Sequence, residues 1–167
     1  MDTITLRFTT KWPYNPVSLA VARLGGSRDW SHVIAIVDNM AYEATMLYFQ
    51  DGNILRPRSG VRKVTVDVAI HGVKAYRDMN VPVASLQDSI AWAQQMEGKK
   101  YDFAGALGLP LLSSDDWADD SKWWCSEFVF MMLGVGGNWV LDPAEKKRVT
   151  PNDLFQCNYK KSAIVRL

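Results

Sequence analysis

The chain has 167 residues, 48% of them apolar and 22% charged, which is a globular and not a disordered composition and suits one domain over residues 1–167. Lys plus Arg total 19 and Asp plus Glu 18, a net charge of +1. A protein that neutralises a row of phosphates carries a basic surplus, so nucleic acid is not an expected partner, and no apolar run reaches the roughly 18 residues of an integral membrane segment.

Residues 3–9 (TITLRFT) alternate and are rich in β-branched types, the pattern of a strand. The N-terminus MDTITLRFTTKW lacks a basic-then-apolar leader pattern, so synthesis in the cytoplasm is expected, with release by lysis or packaging in a virion left open. Asn15-Pro16 ahead of VSLAVARLGG reads as a helix with a cap, a proline in the first turn and a glycine stop. Residues 32–37 (HVIAIV) form a continuous apolar run, as in a strand covered on both faces. Asp38-Asn39 is a turn signal, and 41–46 (AYEATM) is the returning strand. Residues 61–68 (VRKVTVDV) alternate, and 72–77 (GVKAYR) are expected to pair nearby.

The pattern then becomes helical. Residues 85–97 open on Ser-x-x-Asp, a variant of the capping box, and close at Gly98. A short helix is expected over 102–109, and a loop over 110–123 with the acidic stretch SSDDWADD. Residues 125–133 (CSEFVFMML) read as a buried helix stopped by GVGG. Thr150-Pro151 opens a further short helix, and SAIVRL is a closing strand. The order implies an α+β fold with an antiparallel sheet packed against helices.

Two cysteines cannot form a disulfide framework, and without CxxC spacing and with two histidines they argue against a structural zinc site. Cys125 is expected at a helix N-terminus, where the dipole and unpaired N–H groups favour thiolate. By position alone it is more often a residue that fills space. His32 opens a strand and could equally be a surface or core group. With a two-residue turn at Asp38-Asn39, residue 34 opposes 43 and 32 opposes 45, so His32 and Glu43 share one face as diagonal neighbours. A three-residue turn would put them on opposite faces. A cysteine nucleophile needs a base, and the base needs a third group to fix its tautomer. Cys125, His32 and Glu43 supply these types, although spacing along the chain does not bring them together.

Other features read more plainly. His71 beside Gly72 suits a turn, and Cys157 suits packing. The stretch 115–120 (DDWADD) lacks the Gly and distal Glu of a calcium loop, so no metal is assigned. Trp117, Trp123 and Trp124 cluster before Cys125, as packing groups or as a pocket for a sugar or acyl chain. Residues 56–63 (RPRSGVRK) form a basic patch with Arg56, Arg58, Arg62 and Lys63, expected as an exposed loop that could hold an anion.

The ordered set WSHVIAIVDNMAYEAT, SGVR, YDFAGALG, WWCSEFVFMML and VTPNDL resembles the permuted branch of the NlpC-type papain-like proteins. That branch includes the YiiX/YaeF-like enzymes and, more remotely, the lecithin:retinol acyltransferase-like group. The resemblance spans roughly residues 28–155. It implies a circularly permuted papain-like fold, with Cys125 as nucleophile, His32 as base and Glu43 as its orienting group. Tyr101 and Asp102 match an element that lies near the site in that family, and Ser31, Tyr101 and Trp124 are the expected substrate-binding residues. The implied activity is that of a cysteine amidohydrolase or peptidase without cofactor, acting on a peptide, a peptidoglycan fragment or another acyl substrate. Lipid or thioester acyl transfer is the alternative reaction, and a non-catalytic interaction or virion module is the alternative role. The oligomeric state is not legible in the sequence. The insert 110–123 departs from the family pattern.

Overall fold

The computed structural model describes residues 1–10, 30–49, 57–102, 122–144 and 149–167. The expected helix over 15–26, the short helix after Asp102, the DDWADD loop with Trp117, and Arg56 lie outside the described residues. Among the described residues the fold is α+β, with a mostly antiparallel sheet and a few short helices.

Strand β1 (Asp2–Thr10) follows its sequence alternation: Ile4, Leu6 and Phe8 are fully buried. On its other face Arg7 makes a two-pronged ion pair with Asp78, at 2.8 Å through each prong, across the β1–β5 ladder. Strand β2 (His32–Val37) is buried on both faces, as its unbroken apolar run requires. Val33, Ala35 and Val37 join the main core, and Ile34 joins a second cluster with Ala41, Val66 and Ala69. Asp38 and Asn39 both take positive φ, 47° and 63°, which makes the tight turn into β3 (Met40–Phe49) a two-residue one of type I′. The pairs Ala35–Tyr42, Ile36–Ala41 and Val37–Met40 fix the register expected from that turn.

Strand β4 (Pro57–Thr65) starts earlier and ends sooner than its alternation suggests. Residues 66–68, expected as strand, instead form the single helical turn α1 (Val66–Ala69). The turn brings Val66 and Ala69, three residues apart, into the second apolar cluster, and the Val66 N–H donates to the Asn39 carbonyl. Strand β5 (Ala75–Val83) also differs from expectation, because it pairs along β1 and not beside β4. Its continuation through Pro82 follows from the alternation of Met79, Val81 and Val83, all buried. Pro82 is tolerated because β8 (Val165–Arg166) pairs only with Ala75 and Tyr76, so among the described residues no strand pairs with Pro82 on that side of β5. The six strands lie in the order β4-β3-β2-β1-β5-β8, every pair antiparallel.

Helix α2 (Leu86–Gln95) is capped by Ser85, whose hydroxyl accepts from the Asp88 N–H at 3.1 Å. The chain then turns at Gly98 into the two-residue strand β6 (Lys100–Tyr101), parallel to β7 (Lys122–Trp123). Helix α3 (Cys125–Val135) is buried on nearly all sides and packs on β2, β3 and α2. It runs through Gly134, two residues beyond the expected end, where the Trp139 ring lies so close that a Cβ would meet it at 2.3 Å. Helix α4 (Pro151–Gln156) has the full reciprocal capping box between Thr150 and Asp153. No helix among the described residues is long and apolar enough to cross a membrane.

Candidate active site

The site forms where the start of β2 meets the start of α3. His32 is the first residue of β2 and opposes Thr9 of β1. Continuing the β2–β3 register outward sets position 34 against 43, which puts Glu43 on the same face as His32. The His32 Nε2 and Glu43 Oε2 atoms are 2.6 Å apart. A ring nitrogen has one in-plane bonding direction, so the other nitrogen, Nδ1, is left for the sulfur. Cys125 is the first residue of α3, and its thiol is hydrogen-bonded to the His32 ring. The backbone N–H groups of Val33 and Ser126 also point at this sulfur. Helix start, strand start and imidazole therefore converge on one atom.

The electrostatics follow from this packing. Burial alone would raise the Cys125 thiol, but the charge and hydrogen bond of His32 and the two N–H donors outweigh it, and the thiol is held below its ordinary value. Burial would likewise depress His32. The negative charge and hydrogen bond of Cys125, reinforced by Glu43, instead raise it to about 10. Glu43 is fully buried, which favours its neutral acid, yet His32 and Arg62 hold it ionised and below the usual carboxylate range. Both directions favour charge separation at this pair, thiolate beside imidazolium.

Arg62 was expected in an exposed basic loop, and the structure corrects that reading. It is the cross-strand partner of Glu43 in the β3–β4 ladder. Its Nε and Nη2 donate to Glu43 Oε1 at 2.7 and 2.5 Å, and its guanidinium lies over the Tyr48 ring at 4.6 Å. Thiolate, imidazolium, carboxylate and guanidinium thus form one chain of alternating sign. The alternation of 61–68 contained the signal, since a strand returning beside 41–46 must set some residue against Glu43.

Tyr101 arrives by a separate route. The Lys99 carbonyl accepts from the Val61 N–H at 2.9 Å, and the Gly98 N–H donates to the Val61 carbonyl at 3.0 Å. Gly60 makes this approach possible: its φ is 130°, and a Cβ there would stand 2.1 Å from the Lys99 oxygen. The next residues, Lys100 and Tyr101, are thereby laid beside the sheet. Tyr101 is buried, and burial together with the nearby negative charges of Cys125 and Asp102 keeps its phenol protonated well above the ordinary range. Asp102 is buried too, and its N–H donates to the Trp123 carbonyl at 3.1 Å.

Of the remaining expected residues, Trp124 is the residue that caps α3 by its backbone, and its side chain belongs to the core. Ser31 is buried next to His32, and its N–H donates to the Thr9 carbonyl at 3.2 Å. Trp123 stacks edge-on against Trp92 at 5.4 Å, which is a packing contact. Ser126 is fixed by a 2.6 Å bond from its hydroxyl to the Val149 carbonyl. His71 is exposed in the turn after α1. The Cys157 thiol is buried against the carbonyls of Val140 and Asp153. Among the described residues no cluster of His, Cys, Asp and Glu is arranged to hold a metal ion. The chain matches no family model, no curated protein and no solved structure.

Proposed function

We propose that this chain is a cysteine hydrolase of permuted papain-like fold, cleaving an amide or ester by acyl transfer. The observation that carries the reading is the continuous contact from the Cys125 thiol through the His32 ring to the Glu43 carboxylate. A buried thiol that merely fills space does not need an imidazole held in one orientation by a buried carboxylate.

In the proposed reaction the Cys125 thiolate attacks the carbonyl carbon and forms a C–S bond, while the carbonyl π electrons move to oxygen. Backbone N–H groups of the first turn of α3, that of Cys125 included, meet the resulting oxyanion. The intermediate collapses, the C–N or C–O bond breaks, and His32 gives its proton to the leaving amine or alcohol. His32 then takes a proton from water, and the hydroxide attacks the thioester. A second collapse releases the carboxylic acid product and restores the thiolate, with the proton back on His32. Peptidoglycan peptides and other acyl amides are the leading substrate class, on the strength of the family resemblance.

The test is mass spectrometry of products from a panel of muropeptides and acyl amides, comparing the wild type with Cys125→Ala. New carboxylate and amine products from the wild type alone are expected. Equal turnover by Cys125→Ala rejects the nucleophile. Transfer of an acyl group from a lipid donor, with no product from wall fragments, selects acyl transfer over hydrolysis.

A further inference from the structure

Beside the site lies a cleft of about 470 Å³, a volume typical of small-ligand sites. Its walls come from elements far apart in sequence: Tyr48 near the end of β3, Arg58 and Ser59 of β4, Gly98 before β6, Lys100 and Tyr101 of β6, and Lys122 of β7. Three of the side chains that line it are cationic, and among the described residues none that lines it is acidic. Arg58 and Lys100 have no acidic ion-pair partner among the described residues. Lys100 and Lys122 are cross-strand partners, so their side chains leave the β6–β7 ladder together. Among the described residues, three cations gather in this concavity of a chain whose net charge is +1.

The cleft is joined to the catalytic chain at two walls. Tyr101 lines it and also lies within the field of the Cys125 sulfur. Tyr48 lines it and carries the guanidinium of Arg62 on its ring, the same Arg62 that holds Glu43. The cleft therefore shares Tyr101 and Tyr48 with the surroundings of the catalytic chain.

We propose that this cleft binds an anionic group, a carboxylate or a phosphate, carried by the acyl substrate whose carbonyl is presented to Cys125. The inference rests on the hydrolase reading and adds a substrate class to it: molecules with a negative charge set back from the scissile bond. Arg58 offers a planar fork and Lys100 a point charge, a pairing that suits an oxyanion of either kind.

The test uses thiol-directed probes: bromoacetyl-glycyl-glutamate α-amide, its uncharged counterpart bromoacetyl-glycyl-glutamine α-amide, and bromoacetyl-phosphoethanolamine. Labelling of Cys125 is followed by mass spectrometry, with Cys157 as internal reference. The anionic probes are expected to label Cys125 about tenfold faster than the neutral one, with saturation, and the preference is expected to shrink as salt screens it. In the double variant Arg58→Gln/Lys100→Gln the anionic rates should fall to the neutral rate while neutral labelling is unchanged. Equal rates for charged and neutral probes in the wild type, or a preference that survives the double variant, overturn the proposal. The glutamate and phosphate arms decide which oxyanion fits. A binding arm separates this outcome from failure of the hydrolase reading. Acetyl-glycyl-glutamate is titrated by NMR into Cys125→Ala, alone and combined with the double variant. Binding lost only with Arg58 and Lys100 supports the anion site even if no turnover is found, and absence of binding in both overturns it.

Discussion

Glu43 shows how a single buried carboxylate can set the state of its neighbours. Its side chain is 2% exposed, and a lone carboxylate so placed would take up a proton. One oxygen instead meets the His32 ring and the other meets Arg62. Glu43 thereby transmits the arginine's charge to the ring and the ring's orientation to the thiol. Replacing it by glutamine keeps the shape and removes the charge. We expect Glu43→Gln to move the midpoint of Cys125 alkylation against pH upward, toward that of an ordinary thiol, and to slow alkylation near pH 6 about tenfold. The same change leaves the part-buried Arg62 without a counter-charge and should cost on the order of 3 kcal/mol in urea unfolding. An unchanged alkylation profile in this variant would show that Glu43 does not act through His32.

The elements divide the labour of building the site. The β2–β3 hairpin sets which face His32 and Glu43 share, because a two-residue type I′ turn admits one register. Strand β4 contributes Arg62 opposite Glu43 and, two pairs further along, Gly60 opposite Thr45. Gly60 is the point at which the α2–β6 connection reaches the sheet. Gly60→Ala would impose a side chain on a positive φ and push a Cβ into the Lys99 carbonyl. A loss of about 2 kcal/mol in thermal stability is expected, together with displacement of Tyr101. Tyrosine-ring NMR signals, compared between the wild type and the variant, read the second effect. A variant as stable as the wild type with unmoved Tyr101 signals would refute this role of Gly60.

At the scale of the whole molecule, the coupled charges give stability a defined pH profile. His32 is raised, so its stabilisation is complete below its ordinary 6.5 and is lost as pH climbs through about 10. Cys125 and Glu43 are lowered, so their stabilisation is complete above their ordinary values of 9.0 and 4.5 and is lost as pH falls through the depressed ones. Below about 9, and above both the depressed thiol value and the ordinary 6.5 of the imidazole, folding merely moves one proton from sulfur to nitrogen, and the two contributions offset. Thermal melts should therefore show a plateau across that range, a fall above it, and a fall toward acid. In His32→Gln the alkaline fall should be smaller than in the wild type. Identical alkaline limbs in the two proteins would count against a proton retained on His32.

The sequence by itself determined the alternation of β1, the unbroken apolar run of β2, the turn at Asp38-Asn39 and the start of a buried helix at Cys125; the shared face of His32 and Glu43 followed once that turn proved to be two residues long. All of these are local: they depend on side-chain period, on turn chemistry and on caps within a few residues. It did not determine that β4 ends in a helical turn, that β5 runs along β1, or that Arg62 belongs to Glu43. Nor did it determine that the start of α3 meets the start of β2, or that Gly60 admits Lys99 and so carries Tyr101 to the cleft. Those outcomes come from burial and close approach between segments distant in the chain. Their free energy is shared among many contacts that no local pattern reports.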